Sequence, residues 1–333
     1  MPEPGALSRQ VPSLGVVVIG RNEGDRLRRC VASILPVTDA VVYVDSGSDD
    51  GSPAWVAAQG VRVVDLDLSR PFTAARARNA GWHTLTVDHP EVRQVFFVDG
   101  DCEVEDGWMS GAQAFLATHP AVVAVCGRRR ERHPEASVYN RLCDLEWNTP
   151  VGPARSVGGD ALFRLEALQA VGGYRDDLIA GEEPELCVRL RARGGEVWRL
   201  DLPMTIHDAA MTRFGQWWTR SVRAGHAFAE GAWLHGRAPE RHFVAETRRA
   251  MLWGLVLPLL CILLAVSVSP WAWLCTLAYP MQWLRLGWRA KSRPWGWTEA
   301  GFLVLGKFAE VRGVLKFVAG AWSSRPRRLI EYK

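Results

Sequence analysis

The sequence predicts an α/β domain built on a mainly parallel sheet, followed by a helical carboxyl-terminal region that associates with a membrane. Three observations predict it. Apolar runs alternate with helix-spaced segments through the amino-terminal part of the chain, Val95–Val98 stops abruptly at Asp99-Gly100-Asp101, and Met251–Ser269 carries no charged residue. Alternation of this kind implies βα units with their ligand loops along one sheet edge, and an uncharged run of that length is about the ~20 residues that cross a bilayer.

Leu14–Ile19 is an apolar run ending in Gly20-Arg21-Asn22-Glu23, and Leu27, Val31 and Ile34 then recur at helical spacing. Ala40–Val44 repeats the pattern before Asp45-Ser46-Gly47-Ser48-Asp49-Asp50-Gly51-Ser52. Ser52 is expected to cap a short helix that starts at Pro53 and runs towards Gly60. Val61–Leu66 is a third strand, and Thr73 to about Val87 a long helix. The fourth strand, Val95–Val98, delivers Asp99 and Asp101 to the carboxyl edge, where open α/β sheets bind ligands. Two carboxylates flanking a glycine suit one hard divalent cation, Mg²⁺ or Mn²⁺, and the glycine lets phosphates approach the backbone. Taken alone, the tripeptide is equally an Asp-Gly turn. Neither a Gly-x-Gly-x-x-Gly after the first strand nor a Gly-x-x-x-x-Gly-Lys-Ser/Thr occurs, which counts against dinucleotide-binding dehydrogenases and P-loop enzymes.

Val41-Val42-Tyr43-Val44-Asp45-Ser46-Gly47-Ser48-Asp49-Asp50-Gly51-Ser52 resembles the early nucleotide-binding loop of family 2 glycosyltransferases of GT-A fold. Ala77-Arg78-Asn79-Ala80-Gly81 is similar to that family's Ala-Arg-Asn-x-Gly helix, and Asp99-Gly100-Asp101 to its Asp-x-Asp motif. The resemblance covers about Leu14 to Arg223. It implies a Rossmann-like mixed sheet binding a nucleoside-diphosphate sugar, with Arg21, Asn22, Glu23 and Asp45 at the nucleotide, Arg78 at the diphosphate, Asp99 at the ribose or metal, and Asp101 as the direct metal ligand. Ser46 stands where the family commonly has a second aspartate.

Further along, Val157-Gly158-Gly159-Asp160-Ala161-Leu162-Phe163-Arg164 resembles the family segment in which glycines admit the donor sugar and an acidic residue touches it, which nominates Gly159 and Asp160. Gly181-Glu182-Glu183-Pro184-Glu185-Leu186 resembles the Glu-Asp motif, so Glu183, with Glu182 beside it, is the expected base for the acceptor hydroxyl. The family usually has aspartate at position 183. Pro184 places Glu183 at the helix N-cap, and a pair of glutamates that merely caps a helix is the competing reading. His207, after a strand around Glu196–Leu200, matches the histidine that relatives use as a further metal ligand. Arg220 and Arg223 are candidates for a diphosphate clamp or, equally, a solvated helix face. Trp147 lies in a polar loop and either stacks on a sugar or packs. The cluster Arg128-Arg129-Arg130-Glu131-Arg132, after a strand over Ala121–Cys126, reads as a solvated loop, with an anionic acceptor or lipid headgroup as the alternative.

The expected organisation is a tail over 1–13, a GT-A catalytic domain over 14–235, a linker over 236–250, a membrane helical hairpin over 251–288 and an amphipathic basic segment over 289–333. Trp253, Trp271, Trp273, Trp283 and Trp288 flank the apolar region as interfacial belts do, although Pro258 and Pro280 leave re-entrant insertion open. Phe302, Leu305, Phe308, Val311 and Leu315 suggest an amphipathic helix lying on the membrane.

A net charge of +4 with dispersed basic residues gives no reason to invoke nucleic acid. Seven widely spaced cysteines without a Cys-x-x-Cys pair argue against disulfides and zinc and fit a catalytic domain in the cytoplasm. These expectations describe a metal-dependent, inverting glycosyltransferase at the cell membrane, acting on a lipid-linked or membrane-delivered hydroxyl acceptor. The rivals are a metal-dependent nucleotidyl- or phosphotransferase and a scaffold that binds sugar nucleotide without turnover.

Overall fold

The computed structural model describes residues 14–323. The amino-terminal tail expected over 1–13 and the basic tail from Arg325 to Lys333 lie outside the described residues. Two compact units are formed: one from the segments up to Arg132, Glu146–Asp176 and Arg189–Ala209, the other from His133–Leu145, Asp177–Val188 and Ala210 onward.

The first unit holds a nine-stranded sheet. Its strands are β1 (Leu14–Gly20), β2 (Val41–Asp45), β3 (Arg62–Asp65), β4 (Gln94–Asp99), β5 (Cys102–Val104), β6 (Val122–Glu131), β7 (Gly152–Pro153), β8 (Ala161–Arg164) and β9 (Glu196–His207). The order is β3-β2-β1-β4-β8-β6-β9-β5, with β7 on β9. β1 to β4 pair in parallel, and their buried valines, Tyr43, Phe96 and Phe97 form continuous apolar runs because both sheet faces are covered. Beyond β4 the sheet is mixed, as the family resemblance implied, since β8 runs antiparallel to both β4 and β6 while β9 is parallel to β6.

Two local expectations are revised here. Ser52 is the first residue of the Ser52–Ala58 helix and Gly51, in the left-handed region, takes the cap position. The Arg128–Glu131 segment is the second half of β6, not a loop. It continues through register shifts against β9 so that Arg129 faces Thr205 and Glu131 faces His207. β9 likewise extends past Leu200 to end on His207. The Ala74–Asp88 helix forms as expected, with the Thr73 hydroxyl accepting the Arg76 N–H at its start.

The second unit is helical. Glu182 and Glu183 open the Glu182–Ala192 helix, so Glu183 is its second residue rather than its cap. Pro184 is accommodated because the first four N–H groups of a helix have no intrahelical partner to lose. The Phe214–His235 and Gly296–Ser323 helices approach so closely that a Cβ on Gly225 would run into the Glu310 backbone, and one on Gly313 into the Val222 carbonyl. Ala309, Val311, Val314 and Phe317 are buried while Leu305 and Leu315 are exposed, so this helix carries both a packed seam and an exposed apolar face.

Val244–Ser267 forms one helix of 24 residues, long and apolar enough to cross a membrane, with only 11% of its apolar window buried. The second arm of the expected hairpin is not a span. Pro270 opens a 3₁₀ stretch to Leu277, and the Ala278–Arg289 helix has 12 residues, about 18 Å at 1.5 Å per residue. That falls short of a hydrocarbon core of about 30 Å, so a multi-pass topology is not supported. A groove of about 420 Å³ between Ala278–Arg289 and Gly296–Ser323 is lined by Tyr279, Trp283, Leu305 and Phe308.

Candidate active site

The carboxyl edge of β1, β2 and β4 brings the first candidates together. The Gly100 N–H donates to the Ile19 carbonyl at 2.8 Å, joining the turn after β4 to the end of β1. Asn22 sits in the left-handed region and its side chain accepts the Asp49 N–H at 2.9 Å, joining the loops after β1 and β2. Arg21 lies over the Phe72 ring, and Glu23 pairs with Arg26 at 2.7 Å. Asp45 accepts from the Tyr43 hydroxyl, the Gly47 and Ser48 N–H groups and the Ser48 hydroxyl, all within 2.5–2.8 Å. A carboxylate has about four acceptor positions. All are used by Tyr43 on β2 and by the loop that follows, so Asp45 shapes the backbone presented at this edge.

Asp99 and Asp101 have different surroundings. Arg78, 2% exposed on the Ala74–Asp88 helix, donates from Nη2 to Asp99 Oδ1 at 3.0 Å. Arg129 donates from Nη2 to Asp99 Oδ2 at 3.3 Å, lies 3.6 Å from Asp160 Oδ2 through Nε, and stacks at 4.9 Å over Trp147. Burial alone would raise the Asp99 carboxyl, but the Arg78 and Arg129 charges outweigh it and hold the group below the usual carboxylate range. For Arg129 burial opposes the charge, and Asp160 and its anionic neighbours push its value up. Asp160, 1% exposed, accepts the Asp99 N–H at 3.1 Å and the Thr205 hydroxyl at 2.6 Å. Two arginines and two carboxylates sum to zero formal charge, so Arg78 is the counter-ion of Asp99 here rather than a spare cation. Gly159 lets them approach the backbone: a Cβ would sit 2.8 Å from Arg78 Nη2 and 2.9 Å from Asp99 Oδ2, so one of those side chains would have to shift.

Asp101 is buried and faces an imidazole. Its Oδ2 lies 3.2 Å from His207 Nε2, while His207 Nδ1 lies 3.4 Å from Glu131 Oε2. One ligand atom from each of Asp101, Cys102 and His207 falls within 4.8 Å of the others. Carboxylate oxygen and imidazole nitrogen together suit Mn²⁺, and the Cys102 thiol, pushed well up chiefly by burial, is a softer donor less suited to that cation. Trp147 ends the Val138–Trp147 helix rather than lying in a loop, and its ring stands edge-on to His207 with centroids 4.8 Å apart.

Sequence reasoning missed Arg129, Glu131 and Thr205. The available signal was alternation: Arg129 and Glu131 point inward and Arg130 outward, as successive residues of a strand do. The remaining candidates, Glu182, Glu183, Arg220 and Arg223, belong to the helical unit, with Glu182 buried and Arg220 and Arg223 half-buried on the Phe214–His235 helix.

The sheet has the order of the GT-A fold, and residues 15–155 match the profile of glycosyl transferase family 2. The chain is 25% identical over 275 residues to a succinoglycan biosynthesis protein, ExoA, of Rhizobium meliloti, covering 79% of this chain and 81% of that one. It is also 27% identical over 236 residues to a pre-mycofactocin glycosyltransferase of Mycobacterium tuberculosis, covering 66% of this chain and 47% of that one. The chain therefore spans about half the length of this second relative. Among solved structures, the mannosyltransferase PcManGT of Pyrobaculum calidifontis, in complex with GDP-Man and Mn²⁺, superposes with a TM-score of 0.61 at 20% identity, covering 91% of this chain and 87% of that one. Residues 1–349 of TarS of S. aureus superpose with a TM-score of 0.52 at 12% identity, covering 94% and 92%.

Proposed function

We propose that this enzyme transfers a sugar from a nucleoside-diphosphate sugar to a hydroxyl group with inversion, using Mn²⁺ or Mg²⁺, and that its acceptor is lipid-linked or delivered at a membrane. The observation that carries the reading is the approach of Asp101 Oδ2 to His207 Nε2 at 3.2 Å, beside an Asp99 already neutralised by arginines. Asp101 and His207 would hold the cation, which would supply charge neutralisation to the departing nucleoside diphosphate. The loops containing Asn22 and Asp45 frame the nucleotide. Arg78 and Arg129 fix Asp99 towards the ribose, and Gly159 keeps the space beside it open for the sugar. Glu183 accepts the proton of the acceptor hydroxyl as that oxygen attacks the anomeric carbon.

Support for a membrane setting comes from the exposed leucines and valines of Val244–Ser267 and from the apolar groove, whose Tyr279 hydroxyl donates to the Trp253 carbonyl of that helix at 2.6 Å. Among the described residues no disulfide joins the seven cysteines, which fits a catalytic domain in the cytoplasm.

The test is nucleoside diphosphate release from a panel of UDP- and GDP-sugars with Mn²⁺, in the presence of membrane lipid extract. Glu183→Gln should retain donor binding by calorimetry and lose on the order of 10²–10⁴-fold in turnover, the usual contribution of a general base. Unchanged turnover in that variant removes Glu183 as the base. Release of sugar phosphate or pyrophosphate in place of nucleoside diphosphate removes the transfer reaction itself.

A further inference from the structure

We propose that Glu131 is a positioning residue for the cation site: it holds the proton of His207 on Nδ1 and thereby leaves Nε2, the nitrogen beside Asp101, as the one that coordinates. The inference rests on the reading of Asp101 and His207 as cation ligands.

Glu131 and His207 are direct partners in the parallel β6–β9 register, and the Arg132 N–H donates to the His207 carbonyl at 2.7 Å, so the backbone itself sets them side by side. Glu131 Oε2 lies 3.4 Å from His207 Nδ1 and also accepts the Ala209 N–H at 3.1 Å. The second bond matters because it fixes the carboxylate on the backbone independently of the imidazole. Glu131 is 5% exposed and His207 7%, leaving little water to satisfy either group in another arrangement. The edge-on Trp147 ring flanks the imidazole and restricts its rotation.

A neutral imidazole carries one N–H, and only its other nitrogen has a lone pair for a cation. Both ring nitrogens face buried carboxylates, Nδ1 towards Glu131 Oε2 at 3.4 Å and Nε2 towards Asp101 Oδ2 at 3.2 Å, so once a cation takes the Nε2 lone pair beside Asp101 the hydrogen must stand on Nδ1, where Glu131 accepts it. Asp101 Oδ2 and His207 Nε2 then lie together as one oxygen and one nitrogen available to the same cation. A carboxylate behind a ligating histidine in this way raises its basicity and fixes its orientation, and losing such a partner typically weakens metal affinity by about 10–100-fold.

The experiment compares the wild-type protein with Glu131→Leu and Glu131→Gln. Mn²⁺ alone, without sugar nucleotide, is titrated by electron paramagnetic resonance, and long-range ¹H–¹⁵N correlation on histidine-labelled protein reads the tautomer, with His207→Gln assigning the signal. With the diamagnetic Mg²⁺ bound, Nδ1–H is expected in the wild type. Glu131→Leu should bind Mn²⁺ about 10–100-fold more weakly and show both tautomers. Glu131→Gln keeps an acceptor oxygen and should recover most of the affinity and the single tautomer, which a merely structural role for Glu131 does not predict. Wild-type affinity in Glu131→Leu, or a proton on Nε2 of the Mg²⁺-bound wild type, overturns the proposal; should the leucine variant fail to fold, the wild-type spectrum still decides. Absence of Mn²⁺ and Mg²⁺ binding in the wild type defeats the cation-site reading instead.

Discussion

Asp99 and Asp101 leave the same strand on either side of one glycine, yet one ends between two guanidinium groups and the other against an imidazole. Both oxygens of Asp99 are taken by Arg78 and Arg129, and its N–H by Asp160. Asp101 meets His207, whose far side is held by Glu131. The difference teaches that the two letters of an Asp-x-Asp motif need not share a task. The first is locked into the protein by fixed charge of opposite sign, while the second keeps company that a divalent cation can join.

The contrast is open to direct attack, and removing the locked carboxylate should have the largest effect. Asp99→Ala leaves two mostly buried arginines without their shared partner, and breaking buried pairs of this kind costs about 3–5 kcal/mol. Denaturant unfolding should show that loss, and a change below about 1 kcal/mol would mean that the arginines find solvent or Asp160 instead. Asp101→Ala is expected to leave the unfolding midpoint nearly unchanged while Mn²⁺ affinity falls by more than the roughly 100-fold typical of a lost supporting group. Equal destabilisation by both variants would erase the distinction. The smallest effect concerns acid. Because Arg78 and Arg129 outweigh burial and hold the Asp99 carboxyl below its ordinary value, its stabilising contribution is complete above about pH 4 and declines as pH falls through the depressed value. Urea unfolding between about pH 3 and 7 should show that decline in the wild type and a shallower one in Asp99→Asn.

How much of this was legible in the sequence varies along the chain for physical reasons. β1, β2 and β4 read clearly because strands covered on both faces are unbroken apolar runs, and the loops after them carry turn-forming residues. The second half of β6 did not, because Arg128, Arg129 and Arg130 mimic a solvated loop unless the neutralising carboxylates are already in place, and those come from β4 and from Asp160 just before β8. Asp101 and His207 were legible as residue types with a familiar order. Glu131 was not, since its partnership depends on a register that passes through three shifts. The tight seam in the carboxyl-terminal helices was hidden for a different reason: periodicity reading weighs large apolar residues, and here Gly225 and Gly313 make the contact by having no side chain.

The bridge made by Asp160 has a consequence for how the molecule comes into being. It joins the Asp99 N–H, 61 positions earlier in the chain, to the Thr205 hydroxyl, 45 positions later. Links of such long sequence separation form late, after the entropy of closing their loops has been met by local structure. During synthesis the early strands and their carboxylates emerge well before β9, so the nascent chain carries Asp101 without His207 for as long as the ribosome takes to reach the last strand. On the proposed assignment of Asp101 and His207, competence to hold a cation would mark the docking of β9, and a divalent ion that binds only the finished edge would act as a late brake on unfolding.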